Sequence, residues 1–355
     1  MSLKIKLVVC VLFATRCACA QDVRIGIFGL FRPHHITLTA APEQALMIQA
    51  DIVRAGKKSF ILERSSGTDT AEMTVSGDDL TLHIGNQSLR ISKLQASSRS
   101  DHVTDFVLAI PGKIARSYHG VLEVTAVAGV LVPVVRMDLE TAVASVVQAE
   151  STPDTPFEAL QAQAVATRSY FIASRGRHHD FDFCDTTHCQ FLREPPPSGS
   201  NASCATLATA GLVLAYRDHA VAAMFTRSCG GRTRTPQEVG MPGDGYPYFP
   251  VVCAYCIRHP SHWVRRLLQA DVVDVDLRQG GEASRLYIDR RLGWDAVPSN
   301  NFTVHRDAKG VVLEGTGEGH GIGLCQAGAK SMAQSGSTFR EILDHYYPNT
   351  TLVHH

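Results

Sequence analysis

The hydrophobic pattern of this chain changes period near Asp138, and a chain with that change must build a sheet before its first helices. From Val23 to about Met137, apolar and polar residues alternate in short runs, the two-residue period of a strand with one buried face. The runs are Val23 to Phe28, His35 to Thr39, Ser59 to Glu63, Leu80 to Ile84, Phe106 to Ile110 and Val121 to Val127. Gly77-Asp78-Asp79 and Gly85-Asn86 read as hairpin turns. After Asp138, Leu139, Ala142, Val143, Val146 and Val147 recur in steps of three and four, which is the helical period. The expected class is α+β. A β-rich region spans 21–117, and a mixed helical and β-hairpin region spans 118–355, with a Cys/His-containing insertion around 253–300.

Local signals mark the helices of the second region. Thr155-Pro156-Phe157-Glu158 supplies an N-cap, a proline at the first helical position and the glutamate of a capping box. That helix is expected to run to about Arg175, where Gly176 stops it. Its alanines at 159, 162, 164 and 166 permit close approach of a neighbouring backbone. A short helix follows near Ala202 to Ala210. Hairpins are expected from Leu212 to Phe225 and from Phe302 to Gly315, the second turning at Lys309-Gly310. A glycine-rich loop, Gly315 to Gly323, leads into a helix near Leu324 to Ser335, and Thr338-Phe339-Arg340-Glu341 opens a last one.

The first twenty residues have the make-up of an export signal: Lys4 and Lys6, an apolar run from Leu7 to Ala14, and Ala18-Cys19-Ala20 before Gln21. The run is well short of the ~20 residues that span a bilayer. The expectation is an exported protein of the periplasm or cell envelope with no transmembrane segment after cleavage. Basic and acidic residues balance at 34 each, with a pI near 7.3, so no broad cationic surface for nucleic acid is expected. Beyond residue 20 stand seven cysteines: Cys184, Cys189, Cys204, Cys229, Cys253, Cys256 and Cys325. Seven is odd, so at least one thiol is unpaired or serves a metal, while disulfides are the ordinary expectation in an oxidising compartment.

Glu150 is the residue with the most chemical meaning. It falls on the apolar face of its helix, four residues after Val146, and Ser151-Thr152-Pro153 ends the helix immediately after it. The C-terminal end of a helix disfavours negative charge. A carboxyl in apolar surroundings is costly to ionise, so its pKa rises and it can donate a proton near neutral pH. The plain alternative is a solvated glutamate at a helix end.

The other motifs concern binding and metals. In Gly315-Thr-Gly317-Glu-Gly319-His320-Gly321-Ile-Gly323, a dinucleotide reading fails, since no strand and acidic residue can follow so near the C-terminus. Alternating glycines instead let backbone approach a ligand, with His320 and Gln326 a polar pair that suits sugar hydroxyls; the plain alternative is a tight turn with a surface histidine. Cys184, His188 and Cys189 place three zinc-type ligands within six residues, a Cys184–Cys189 disulfide being the competing reading. Cys253, Cys256, His259 and His262 form a second such group, open to zinc, a disulfide or a redox pair.

Taken in order, Leu139-Glu140 to Val146-Val147-Gln148-Ala149-Glu150, Glu158 to Tyr170, Cys229-Gly230-Gly231-Arg232-Thr233, and Gly319-His320-Gly321 to Gln326-Ala327-Gly328-Ala329 resemble the stage II sporulation protein D family, which includes the amidase-enhancer proteins. The resemblance covers about 118–352. It implies a catalytic domain of that type and a lytic transglycosylase acting on peptidoglycan glycan strands, typically those stripped of stem peptides. It makes Glu150 the catalytic acid/base and sets Arg168, Tyr170, Gly230, Gly231, His320 and Gln326 along the substrate cleft. It also favours zinc at Cys184, His188 and Cys189. The chain departs from the family at Ala142 and Ser145, usually an aromatic residue and a glycine, and at Ser151-Thr152, usually Met-Pro; the acid is retained.

Ordinary glycosidases need two carboxyl groups. A transglycosylase of this kind works with one, because the sugar's C6 hydroxyl closes on C1 and leaves a 1,6-anhydro end. Arg168 would contact the lactyl carboxylate or orient Glu150. The competing functions are a non-catalytic peptidoglycan-binding enhancer of a cell-wall amidase, and a zinc hydrolase in which Cys184, His188 and Cys189 activate water.

Overall fold

The two-residue alternation becomes a wall of strands that closes on itself. The computed structural model describes residues 21–355 apart from 64–68, 100–101, 244, 273–274, 276, 278–280 and 309. The expected export signal and Lys309 lie outside the described residues. The strands are β1 (Asp22–Gly26), β2 (His35–Ala40), β3 (Ala45–Ile52), β4 (Gly56–Glu63), β5 (Thr70–Ser76), β6 (Asp79–Ile84), β7 (Gln87–Ser97), β8 (Thr104–Ile110), β9 (Ile114–Val127), β10 (Val130–Asp138) and the short β11 (Phe183–Cys184). They form one sheet in the order β11-β1-β10-β9-β8-β2-β5-β6-β7-β3-β4. The long β9 also pairs with β7, Leu94 opposite Val124, so β9-β8-β2-β5-β6-β7 is a closed ring. Closure leaves those six strands no free edge.

Alternate residues fill the interior: Ile36, Leu38 and Ala40 from β2, Leu46, Ile48 and Ala50 from β3, Phe106 and Leu108 from β8. The six alternating runs of the sequence all become strands, and β3, β5, β7 and β10 join them. Gly77 and Gly85 take left-handed φ angles at the β5–β6 and β6–β7 turns. The division drawn at 117/118 falls inside β9, and the sheet continues to Asp138. Asp138 is both the end of β10 and the N-cap of α1 (Leu139–Glu150), its carboxylate accepting from the N–H groups of Glu140 and Thr141. The first helix is therefore fixed directly to the barrel.

The second half is mixed, as an α+β class requires. It contains α2 (Phe157–Ala173), α3 (Asn201–Ala208), β12 (Leu212–Tyr216), β13 (His219–Ala220), β14 (Phe225–Thr226), α4 (Ala254–Arg258), β15 (His262–Leu267), α5 (Glu282–Leu292), β16 (Phe302–Asp307), β17 (Gly310–Thr316), β18 (Leu324–Cys325), α6 (Gln326–Gln334), α7 (Phe339–Tyr346) and β19 (Thr351–His354). Helix α2 is the axle: every residue from Ala159 to Phe171 is buried, against α1, α3, β12, α6 and α7. Its alanines let those neighbours in on all sides.

The capping box expected at Thr155–Glu158 does not form. Pro156 occupies the N-cap of α2, without a side-chain cap. The Glu158 carboxylate instead accepts from the Phe339 N–H at 2.6 Å, at the start of α7. The box at Thr338–Glu341 does form, with Glu341 N donating to Thr338 Oγ1 and Thr338 N to Glu341 Oε2. The start of α7 therefore holds two carboxylates, and α2 is tied to it.

The insertion is a small lobe of its own. Strands β15, β17 and β16 form an antiparallel sheet with α5, around Trp263, Leu267, Ile288, Val297, Val311 and Leu313. The lobe runs from His262 to Thr316, later than the expected 253–300. No helix among the described residues is long and apolar enough to cross a membrane.

Candidate active site

Glu150 is the last residue of α1 and stands where two cavities meet. One has a volume of about 800 Å³, the other about 440 Å³, and Glu150, Arg227 and Gln326 line both. Burial pushes the Glu150 carboxyl up to about 7, against the opposing hydrogen bond from Gln326 and the charges of Arg227 and Arg193. Its place at the C-terminal end of α1 also disfavours ionisation. Gln326 opens α6, and its Nε2 donates to the Glu150 backbone carbonyl at 3.2 Å and lies 3.5 Å from Gln163 Oε1 of α2. Three helices thus converge on one carboxyl group.

The larger cavity is lined by apolar and polar residues together. Leu30 and Phe31 after β1, Leu286 of α5 and Trp294 of the lobe stand around it, with Tyr170 of α2 and His320 inside. Tyr170 packs on Phe171 and Phe183. The His320 ring accepts the Ile322 N–H at Nδ1, 3.0 Å away, which assigns the proton of the neutral ring to Nε2. Burial pulls its pKa below the ordinary histidine value.

The glycines of the His320 loop serve a different approach from the one expected. They bring the loop against residues 224–230 of the same chain. A Cβ on Gly317 would stand 2.6 Å from the Ser228 carbonyl oxygen, and one on Gly323 would collide with the Met224 carbonyl. Both take left-handed φ angles. Ser228 and Glu318 exchange backbone hydrogen bonds across this contact.

Arg168 is not at the cleft. Its guanidinium is fully buried, forks onto Glu140 at 2.7 and 2.6 Å, and donates to the carbonyls of Leu212 and Thr206. Glu140 begins α1 and Glu150 ends it, so Arg168 braces the far end of that helix. The cations that face Glu150 are Arg227 and Arg193. Arg227 carries an ion pair with Glu318 at 3.5 Å, and Arg193 lies over the Phe191 ring. Neither stands in a pattern that sets it apart in the sequence. Gly230 and Gly231 also lie away from the cleft lining. They turn the chain after Cys229, and a Cβ on Gly230 would press on Thr316 and Asn301.

Among the described residues the cysteines sort into two clusters and one exposed thiol, Cys204, all unbridged. In the first, Cys184, His188 and Cys189 are joined by His178, a fourth donor missed because its separation from the other three gave no signal. His178 Nε2 is 3.2 Å from Cys189 Sγ, and His188 Nδ1 lies 3.6 and 3.8 Å from the two sulfurs. The loop holding them is anchored by Asp185, which accepts from Arg116 of β9 at 2.9 Å and from the Phe28 N–H. Thr186 to Gln190 line the larger cavity. The second cluster keeps Cys253 and Cys256 but not the two histidines: His259 is exposed and stacks on Tyr255, and His262 is exposed on β15. Cys229 and Cys325 take their places.

Known proteins align with these features. Residues 128–216, from the end of β9 through β12, match the family SpoIID, stage II sporulation protein. An uncharacterized protein of Brachyspira hyodysenteriae is 29% identical over 267 residues, covering 66% of this chain and 72% of its own. The amidase enhancer of Bacillus subtilis is 42% identical over 62 residues, 18% of this chain but 9% of that protein. A barrel-mounted helix ending in a half-buried glutamate, crossed by an alanine-rich axle, is the part that the family match covers. The match at residues 128–216 and the amidase-enhancer similarity support the SpoIID (stage II sporulation protein D) family and a cell-wall-related function.

Proposed function

We propose that this protein cleaves peptidoglycan glycan strands as a lytic transglycosylase, with Glu150 as its one acid/base group. The observation that carries the reading is a carboxyl pushed up to about 7 at the junction of two cavities, so that a polymer can lie across it with sugars on both sides. A protonated Glu150 donates to the glycosidic oxygen; as carboxylate it then takes the proton of the C6 hydroxyl, which closes on C1. Arg227 and Arg193, rather than Arg168, hold the lactyl carboxylate. Tyr170, His320 and Gln326 contact sugar, and the exposed Trp294 packs on a ring face.

The test is the product. Incubation with peptide-free glycan in ¹⁸O-labelled water should release unlabelled 1,6-anhydro-muramyl ends, seen by mass spectrometry. Labelled reducing ends would mean that water is the nucleophile, and would sink the transglycosylase reading. An Arg227→Ala variant should lose affinity for the glycan and move the alkaline limb of the pH–rate profile upward, because a charge that favours the Glu150 carboxylate is gone. An unmoved limb in a pH–rate series would remove Arg227 from the site.

The first cluster suits zinc. His178, Cys184, His188 and Cys189 make a two-sulfur, two-nitrogen set within 4.8 Å, which fills a tetrahedral site. Such an ion would brace the loop that walls the cleft and leave no position for an activated water, which weighs against the zinc-hydrolase alternative. The similarity to an amidase enhancer favours one further reading, a stimulatory partnership with a cell-wall amidase. Export to the periplasm or envelope goes with both.

A further inference from the structure

Four thiols from separate stretches of chain meet inside the C-terminal core. Cys229 follows β14, Cys253 and Cys256 flank the first turn of α4, and Cys325 closes β18. All four are buried, and their sulfurs lie within 4.8 Å of one another. Tetrahedral zinc with bonds of about 2.3 Å separates its sulfur ligands by roughly 3.8 Å. Cys256 and Cys325 are 3.5 Å apart, well beyond the ~2.05 Å of a disulfide.

The surroundings are arranged for sulfur as an acceptor. The N–H groups of Cys229 and Gly328 both donate to Cys325 Sγ at 3.4 Å. The hydroxyls of Ser228 and Tyr346 lie 3.5 Å from Cys256 Sγ and Cys253 Sγ. Donors of this kind steady metal-bound thiolates and offset their charge. Gly328 is required here, since a Cβ would stand 2.7 Å from Cys253 Sγ.

The cluster also ties together the two segments that reach Glu150. Arg227 precedes Cys229 by two residues and Gln326 follows Cys325 directly. Between them Thr226 pairs with Cys325, and Ala327 N donates to the Arg227 carbonyl at 3.1 Å. We propose that Cys229, Cys253, Cys256 and Cys325 bind a structural zinc ion, distinct from the Cys184 cluster, that holds Arg227 and Gln326 against Glu150. Four thiolates complete the coordination, so the ion has no position for substrate or water. The effect on Glu150 rests on the function proposed above; the metal site does not.

The test begins with metal content. Purified wild-type protein should hold one more zinc per chain than a Cys253→Ser/Cys256→Ser variant. A His178→Ala/Cys184→Ser variant, which leaves this cluster whole, should give an X-ray absorption shell of four sulfurs at about 2.3 Å. Equal zinc in wild type and the first variant, nitrogen or oxygen ligands in the second, or a disulfide among these four cysteines by mass spectrometry of unreduced protein would each overturn the site. If the serine variant does not fold, the absorption spectrum of the second variant still decides. For the positional part, Cys256→Ser protein that remains folded should show a shifted alkaline limb for glycan cleavage; a limb identical to wild type would overturn that part while leaving the metal site standing.

Discussion

Glu150→Gln is expected to cut release of anhydro-muramyl ends by about 10²- to 10⁴-fold, the usual worth of a general acid, while making the protein more stable above neutral pH. The second effect follows from the sign of the pKa change. Burial raises the carboxyl from its ordinary 4.5 to about 7, so the folded state holds a proton that the unfolded chain has released. That stabilisation is whole below about 4.5 and is lost as pH rises through about 7. Glutamine has no proton to lose. The variant should gain on the wild type between those values and keep a lead of at most about 3 kcal/mol at pH 8 to 9, at about 1.4 kcal/mol per pH unit. Urea unfolding of both proteins from pH 4 to 9, beside the activity assay, measures it. Parallel stability curves would mean that the carboxyl titrates as in water, and full activity in the variant would remove it from the chemistry.

Glu140→Ala should destabilise the fold by about 3 to 5 kcal/mol, because it strands the Arg168 guanidinium in the protein interior. Arg168 is fully buried and Glu140 supplies both arms of its carboxylate fork. The carbonyls of Leu212 and Thr206 satisfy other donors but carry no compensating charge. Replacing both partners, Glu140→Leu with Arg168→Met, should recover a large part of the loss, since no charge is then left buried. The measurement is the urea midpoint, together with KM for glycan of whatever protein remains folded. A variant of unchanged stability with a raised KM would return Arg168 to the substrate cleft.

These two residues show what can be seen along the chain and what cannot. Glu150 is visible because periodicity puts it on the apolar face of its own helix, and the cause of its raised pKa is that same face. Arg168 is equally distinctive in sequence, yet the group it serves is Glu140, 28 residues away. Thr155-Pro156-Phe157-Glu158 and Thr338-Phe339-Arg340-Glu341 carry the same signature, but only the second makes its box. The difference is that Glu158 faces the open N-terminus of α7. The metal groups divide likewise. Cys184, His188 and Cys189 lie within one loop and are read together, whereas His178 is joined to them only by the fold. Cys253 and Cys256 suggest His259 and His262 by proximity, and the folded chain supplies Cys229 and Cys325 instead.

What the sequence determined by itself was a β-rich first half followed by helices, six of its strands, the turns at Gly77 and Gly85, and the carboxyl at the end of α1. Each of these depends on side chains within a few residues of one another, where periodicity and backbone preference act. Tertiary structure decided the closure of the barrel through β9 and β7, the partners of Arg168 and Glu158, the four-cysteine cluster, and the two arginines facing Glu150. A buried charge or thiol is stabilised by whichever partner the packed chain brings within a few ångströms, and separation along the sequence carries no record of that distance.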